Sequence, residues 1–337
     1  MAWSDILGQE LPKRLLQAHL RAGRVAHAYL LAGPDGVGKG RVALEMAKTL
    51  NCVGAAASPA PGRDGEARPC DACGPCRQIA RRIHPDVHCL EPTGASEQIR
   101  MDDVRSLMGR IALRPFSARA QVAILSDAQR LTEEAANSLL KVLEEPPARS
   151  YFFLTTSRLS DCLPTIVSRC QLIRCQPLPR EGVRRILMET QGCDPRLAEV
   201  IARLAAGSAS AAVDLAARWT RYERIWASFA EGPASSVWLE RPLPETRQDV
   251  AELVDGMMGW VRDLAVAATV GAAPVTHTAH IEALRRQALT VDLDRCLEAA
   301  WRLAALRESL EQFVSPRLVA ALAREEWLSL TDVKRET

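Results

Sequence analysis

The sequence predicts an α/β core built on a parallel sheet, followed by a region that is helical throughout. Three observations predict it. Short apolar runs alternate with helical patterns over the first half of the chain, which is how a parallel sheet covered by helices reads. A glycine-rich turn ending in lysine joins one of those runs to a helix. From Arg180 on, strand signals almost vanish and Ala, Leu and Arg recur at helical spacing.

The candidate strands are Ala28–Ala32, Val87–Glu91, Gln121–Leu125, Tyr151–Thr156 and Gln171–Cys175, each short and bounded by Gly, Pro or charge. A helix is predicted over Arg41–Leu50 and another over Thr132–Glu145. In the second, Ala136, Leu139, Leu140 and Leu143 form an apolar face, Glu133 and Glu134 suit its positive start, and Pro146-Pro147 stops it. Gly54–Gly65 has the composition of a flexible loop. A polar stretch at Glu231–Glu245 contains prolines, and longer helices fill Asp249–Leu330. At 337 residues the chain suits two or three domains. The expected boundaries give an α/β core over 1–176, a small helical domain over 177–218 and a second helical domain over 219–337.

Hydrophobic residues make up 47% and charged residues 25%, an ordinary balance for a soluble globular protein. With 43 basic and 41 acidic residues, charge alone gives no argument for nucleic-acid binding. The opening MAWSDILGQE lacks a signal-peptide pattern. The most apolar stretch, Val250–Val270, carries Glu252, Asp255, Arg262 and Asp263, which excludes a membrane span and predicts an amphipathic helix. The expectation is a cytoplasmic protein with no membrane partner.

Gly33-Pro34-Asp35-Gly36-Val37-Gly38-Lys39-Gly40 lies between a strand and a helix, where backbone N–H groups and a helix start can cradle phosphate. Lys39 would reach the β- and γ-phosphates. The pattern asks for Ser or Thr after the lysine to hold magnesium, and Gly40 has no hydroxyl. A bare strand-to-helix turn that binds nothing is the plainer reading, and ATP or ADP binding stays open.

A second magnesium contact should follow the strand Val122–Leu125. Ser126 stands where a metal-holding Asp belongs and Asp127 where a water-activating Glu belongs. A carboxylate shorter by one methylene sits roughly 1.5 Å away, a misplacement that can cost about a hundredfold in rate. Asp127 is equally well read as a helix cap. With both metal contacts gone, phosphoryl transfer by this chain alone is not expected.

Cys52 precedes Cys70-x-x-Cys73-x-x-Cys76. Such spacing lets four thiolates converge on one ion, with structural zinc favoured, iron–sulfur ligation a lesser alternative and four free thiols the plain one. Cys89, Cys162, Cys170, Cys175, Cys193 and Cys296 read as small buried apolar residues.

Several motifs then share one resemblance. They are Trp3-Ser4-Asp5-Ile6-Leu7-Gly8-Gln9, His27–Gly33, Leu50-Asn51-Cys52 with Pro69–Arg77, Asn137–Pro146 and Leu163–Cys170. In this order they resemble the AAA+ clamp-loader subunits of bacterial DNA polymerase III. In the motor subunits of that family, gamma/tau, a sensor arginine stands where this chain has Ser210, within Gly207–Val213. That loss, with Gly40 and Ser126, resembles the delta-prime type, as does the less specific Phe313–Val319.

The resemblance implies an AAA+ core with a zinc insertion (about 52–76), a helical lid and a helical collar. It implies a hetero-pentamer with gamma/tau and delta that places a sliding clamp on primed DNA, as part of the DNA polymerase III holoenzyme, a nucleotidyltransferase. No intrinsic ATPase is expected. Arg169 would act in trans as an arginine finger, and Thr156 falls at the position that senses γ-phosphate in active relatives. Two rival readings are a gamma/tau-like motor with residual ATP binding and hydrolysis, and a zinc-dependent DNA-binding protein.

Overall fold

The computed structural model describes residues 3, 6–54, 68–93, 98–232, 242–271, 275–310 and 314–330. Ser4, Asp5 and Phe313 lie outside the described residues, as do 55–65 of the glycine-rich stretch and 233–241 of the proline-containing one. The chain separates into two compact units, Met1–Val183 with Ala206–Ala211, and Arg184–Ala205 with Ala212–Thr337.

The first unit begins with α1 (Glu10–Arg21), β1 (Ala28–Ala32) and α2 (Lys39–Asn51), then α3 (Gly74–Ala80) and β2 (Val87–Leu90). It continues through α4 (Met101–Ile111), β3 (Gln121–Leu125), α5 (Glu133–Glu144), β4 (Ser150–Thr156), α6 (Pro164–Arg169) and β5 (Gln171–Arg174). All five predicted strands form, within a residue of the expected ends. They pair in the order β2-β3-β4-β1-β5, and every pairing is parallel.

Because side chains alternate across a strand, the sheet buries two apolar sets. Tyr29, Leu31, Val122, Ile124 and Phe153 pack with Leu16, Val42 and Met46 from α1 and α2. Ala28, Leu30, Leu125 and Phe152 pack with Leu107, Leu139 and Ile166 from α4, α5 and α6. The result is an α/β/α sandwich around an all-parallel sheet. α5 starts as its sequence predicts, with the Thr132 hydroxyl accepting from the Ala135 N–H at 3.3 Å. α2 begins two residues earlier than expected, because Gly38, at φ 98°, ends the loop and hands the chain directly to Lys39.

The second unit is helical at every described element: most of α7 (Arg180–Gln191), α8 (Pro195–Leu204), most of α9 (Ala209–Ala217), α10 (Trp219–Ala230), α11 (Arg247–Thr269), α12 (Ile281–Ala288), α13 (Leu293–Ser309) and α14 (Pro316–Ser329). α11 is the core helix, with Val250, Val254, Met257, Trp260 and Leu264 buried against Trp226, Phe229 and Trp327. The Trp260 indole N–H donates to Gln287 Oε1 at 2.9 Å, so the ring is buried with its polar atom satisfied. Buried Asp263 accepts from the Thr276 and His277 N–H groups and faces His277 Nδ1 at 2.7 Å. No described helix is long and apolar enough to cross a membrane.

Two expectations need correcting. Cys89 is exposed, because β2 is an edge strand paired only with β3, and Cys170 and Cys193 are half-buried. Asp127 is not a helix cap: it sits in the left-handed region at φ 54° with no side-chain cap bond. Arg169 ends the short helix α6.

Candidate functional site

The expected site residues fall into three groups on the first unit. Gly33–Gly40, Asp127 and Thr156 lie along the C-terminal edge of the sheet, where β3, β4 and β1 are neighbours. Thr156 pairs with Ala32, the residue before Gly33. Here the order reverses, since the chain leaves β1 for β2 across two strands, and ligands of open α/β sheets bind at such a point.

The loop leaves the sheet through a gap that admits only glycine: a Cβ on Gly33 would lie 2.2 Å from the Cys175 carbonyl oxygen. Gly36 and Gly38 have φ of 72° and 98°. Lys39 is buried, and its Nζ donates to the Gly33 and Pro34 carbonyls, both at 2.7 Å. The turn at Ser208–Ser210 packs on the loop. Ala209 N–H donates to the Gly36 carbonyl at 2.8 Å, and a Cβ on Gly36 would lie 2.1 Å from Ser210 Oγ and 2.2 Å from Ser208 Oγ. Ser210 thus touches the loop itself. Around Gly40 an added Cβ meets nothing within 4 Å, so space does not forbid a hydroxyl there.

Asp127 keeps its carboxylate near Gln129 Nε2 at 3.3 Å, and its N–H donates to Thr155 Oγ1. The Thr156 hydroxyl is buried, donates to the Arg158 carbonyl and accepts from the Cys162 thiol. Its hydrogen-bonding capacity is taken up inside the chain.

Arg169 is elsewhere. β5 starts at Gln171 opposite Tyr29, so Arg169 stands at the N-terminal edge of the sheet, a strand's length (about 17 Å) from the chain's own phosphate loop. It pairs with Glu144 and donates to the Thr165 carbonyl at 3.1 Å, while its Nε is buried without a partner.

The four cysteines gather at the other end of α2, about 20 Å from the loop along the helix. The sulfurs of Cys52, Cys70, Cys73 and Cys76 all lie within 4.8 Å of one another, a group able to hold a metal ion. Tetrahedral metal–sulfur bonds of about 2.3 Å set neighbouring sulfurs about 3.8 Å apart, and Cys52 and Cys73 stand at 4.0 Å. The N–H groups of Cys70 and Cys73 point at the Cys52 and Cys70 sulfurs, both at 3.3 Å, as donors to thiolates do. Burial raises the Cys52 and Cys76 thiols. Burial also works upward on Cys73, but N–H groups of Cys76 and Val53 and neighbouring thiols outweigh it and bring that thiol to about 6.

The sequence reading missed what braces this cluster. Lys48, fully buried on α2, bridges Glu45 at 2.6 Å and Asp71 at 2.5 Å, and Asp71 lies between Cys70 and Cys73. Burial pushes the Glu45 carboxyl up to about 7, with Lys48 pulling the other way. The signal was present: Glu45 and Lys48 interrupt an otherwise apolar run on α2.

The core is a parallel α/β fold with a glycine-rich strand-to-helix loop and a four-cysteine group that could hold a metal ion. Residues 8–179, just over half of the chain, match the family model described as DNA polymerase III, delta subunit, and the chain belongs to that family, among the clamp-loader delta-prime proteins. It is 34% identical to DNA polymerase III subunit delta-prime of Bacillus subtilis over 60% of this chain and 58% of that one. It is 35% identical to the Pseudomonas aeruginosa delta-prime subunit over 65% and 67%. Escherichia coli subunit tau matches at 33% over 63% of this chain and 32% of that one. The match therefore spans well under two thirds of the B. subtilis and E. coli relatives. A solved gamma-subunit-related protein from Thermotoga maritima aligns over 94% and 99% of the two chains, with 16% identity and a TM-score of 0.45.

Proposed function

We propose that this clamp-loader subunit is a non-hydrolysing member of a hetero-pentamer with gamma/tau and delta, working in the cytoplasm to place the sliding clamp on primed DNA. One observation carries the reading: the loop end lacks a hydroxyl at Gly40 and a carboxylate at Ser126, while Arg169 stands at the opposite edge of the sheet. An arginine so placed is presented outward, toward a neighbouring subunit. A guanidinium delivered in trans to a γ-phosphate stabilises transition-state charge and is worth about 10³–10⁵ in rate where it has been measured. Delivery requires Arg169 to leave Glu144, and an exposed pair of that kind costs only about 0.2–1 kcal/mol to break.

In this reading the chain divides into a core (1–176), a lid (177–218) and a collar (219–337). Cys52, Cys70, Cys73 and Cys76 hold zinc, whose role is structural because four thiolates leave no open coordination position. The Lys48 triad holds the knuckle containing Asp71 against α2. The second reading, a gamma/tau-like motor, draws on the retained Lys39 and on the tau match.

The test is ATP turnover on clamp and primed DNA by the loader reconstituted with this chain or its Arg169→Ala form. The expected result is silence from the chain alone and a fall of at least a hundredfold in the substituted complex. Turnover by the chain alone would install the motor reading, and an unchanged complex would remove Arg169 from the chemistry.

A further inference from the structure

A cavity of about 230 Å³ opens in the second unit, where α10, the start of α11 and α14 come together. Three arginines line it, Arg221 and Arg224 from α10 and Arg324 from α14, against a single carboxylate, Asp249. Apolar groups make up the remainder. Ile225 and Leu253 form its floor, and Leu243 stands on its wall between Pro242 and Pro244. Neither proline has an N–H to offer, so charged donation falls to the arginines.

The arginines on α10 differ in what already holds them. Arg221 pairs with Asp249 and, through Nε, with buried Glu252 Oε2 at 2.6 Å. Arg218 secures the other oxygen, donating to Glu252 Oε1 at 2.9 Å. Arg221 is thus fixed, and the one acid of the lining is already engaged. Arg224, one turn further along α10, is exposed and forms no ion pair among the described residues. The first turn of α11, which carries Asp249, adds the partial positive charge of a helix start. The cavity therefore carries an excess of positive charge over an apolar floor.

Charge and size together select the ligand. The charge calls for an anion, and a guanidinium fork matches a carboxylate with two parallel N–H bonds. The volume equals the liquid share of about seven or eight waters, below the roughly 300–1,000 Å³ of sites for drug-sized ligands. That is room for a single residue. An Asp or Glu within a chain brings a carboxylate with no aliphatic group beside it. Only at the C-terminus does one residue carry a carboxylate and an aliphatic side chain on the same carbon. Capture of a terminal carboxylate is a recurring mode of peptide recognition.

We propose that this cavity binds the C-terminal residue of a partner protein. The α-carboxylate lies on Arg224 and Arg324, and an aliphatic side chain lies on Ile225, Leu243 and Leu253. The proposal rests on neither Arg169 nor the four cysteines.

The experiment is saturation-transfer difference NMR on the full-length chain with acetyl-Gly-Gly-Leu bearing a free carboxylate. The C-terminal amide of that peptide should bind at least about tenfold more weakly, since it gives up the charged bonds to arginine. Acetyl-Gly-Gly-Gly keeps the carboxylate and should also lose about tenfold, the worth of burying an isobutyl group. Arg224→Glu should abolish the preference for carboxylate over amide. Arg224→Lys should recover only part of it, because an ammonium has no fork. Thermal melts that coincide with the unsubstituted chain verify the fold of both variants. The proposal fails if the peptide shows no binding at roughly 10 mM, if the amide binds as well, or if Arg224→Glu keeps the preference. Tighter binding by isocaproate than by the peptide, or displacement of the peptide by an equal concentration of inorganic phosphate, would overturn it in favour of a small free anion.

Discussion

The two ends of α2 carry the two candidate ligand sites of the core, and they differ in how their polar groups are partnered. At its N-terminus the phosphate loop answers its own polar groups: Lys39 donates to the Gly33 and Pro34 carbonyls, and Ala209 donates to Gly36. At its C-terminus four sulfurs crowd within 4.8 Å, and ionising all of them requires a positive charge that the cluster does not contain. The loop's Gly33, Pro34 and Gly36 carbonyls are partnered within the chain, whereas the four sulfurs form a group that could hold a metal ion. A site's ancestry is thus a poorer guide to ligand dependence than whether its buried polar groups already have partners.

Four changes break or sharpen that contrast. The largest effect is expected on metal removal, by a chelator or by Cys73→Ser. The melting temperature should fall by on the order of 10 °C, while added ATP leaves it unmoved. Scanning calorimetry with parallel metal analysis reads both, and a chain indifferent to chelator but stabilised by ATP would reverse the comparison. Next is Lys48→Met, which removes the cation from buried Glu45 and should cost about 3–5 kcal/mol in denaturant unfolding. Adding Glu45→Gln should recover part of that loss, because it removes the buried carboxylate left behind.

Asp86→Asn should cost about 2–3 kcal/mol, since the Phe116, Ser117 and Ala118 N–H groups lose a charged acceptor. Burial works to raise the Asp86 pKa, but those N–H groups outweigh it and hold the carboxyl below its ordinary value. A depressed acid stabilises above the unfolded pKa and loses its contribution as pH falls through the folded one. Urea midpoints for the unsubstituted chain and Asp86→Asn should therefore differ at pH near 5 and converge in strong acid. The smallest effect belongs to Gly40→Thr. With nothing within 4 Å of the new Cβ, stability should change by under about 0.5 kcal/mol. ATPase assays should stay flat, because Ser126 still supplies no carboxylate.

The sheet was legible in the sequence because parallel strands buried on both faces leave short apolar runs, and Gly, Pro and charges punctuate them here. The loop and the four cysteines were legible because each is a local pattern of fixed spacing. What escaped were partnerships between distant residues. Nothing in the spacing ties Asp71 to Lys48, Asp86 to the Phe116 turn, or Ser210 to Gly36. Cys89 was misread because alternation places a residue on a face, whereas exposure there depends on β2 being an edge strand, which only the strand order decides.

The place of β1 has a consequence for how the molecule comes into being. Ala28 waits for Phe152 and Tyr29 waits for Gln171, so the first strand to leave the ribosome finds both its neighbours near the end of the core's synthesis. Until then an apolar strand with two open edges must be kept from pairing elsewhere. The core should therefore fold late and by long-range closure, and truncation before Gln171 should give aggregates rather than a smaller folded domain.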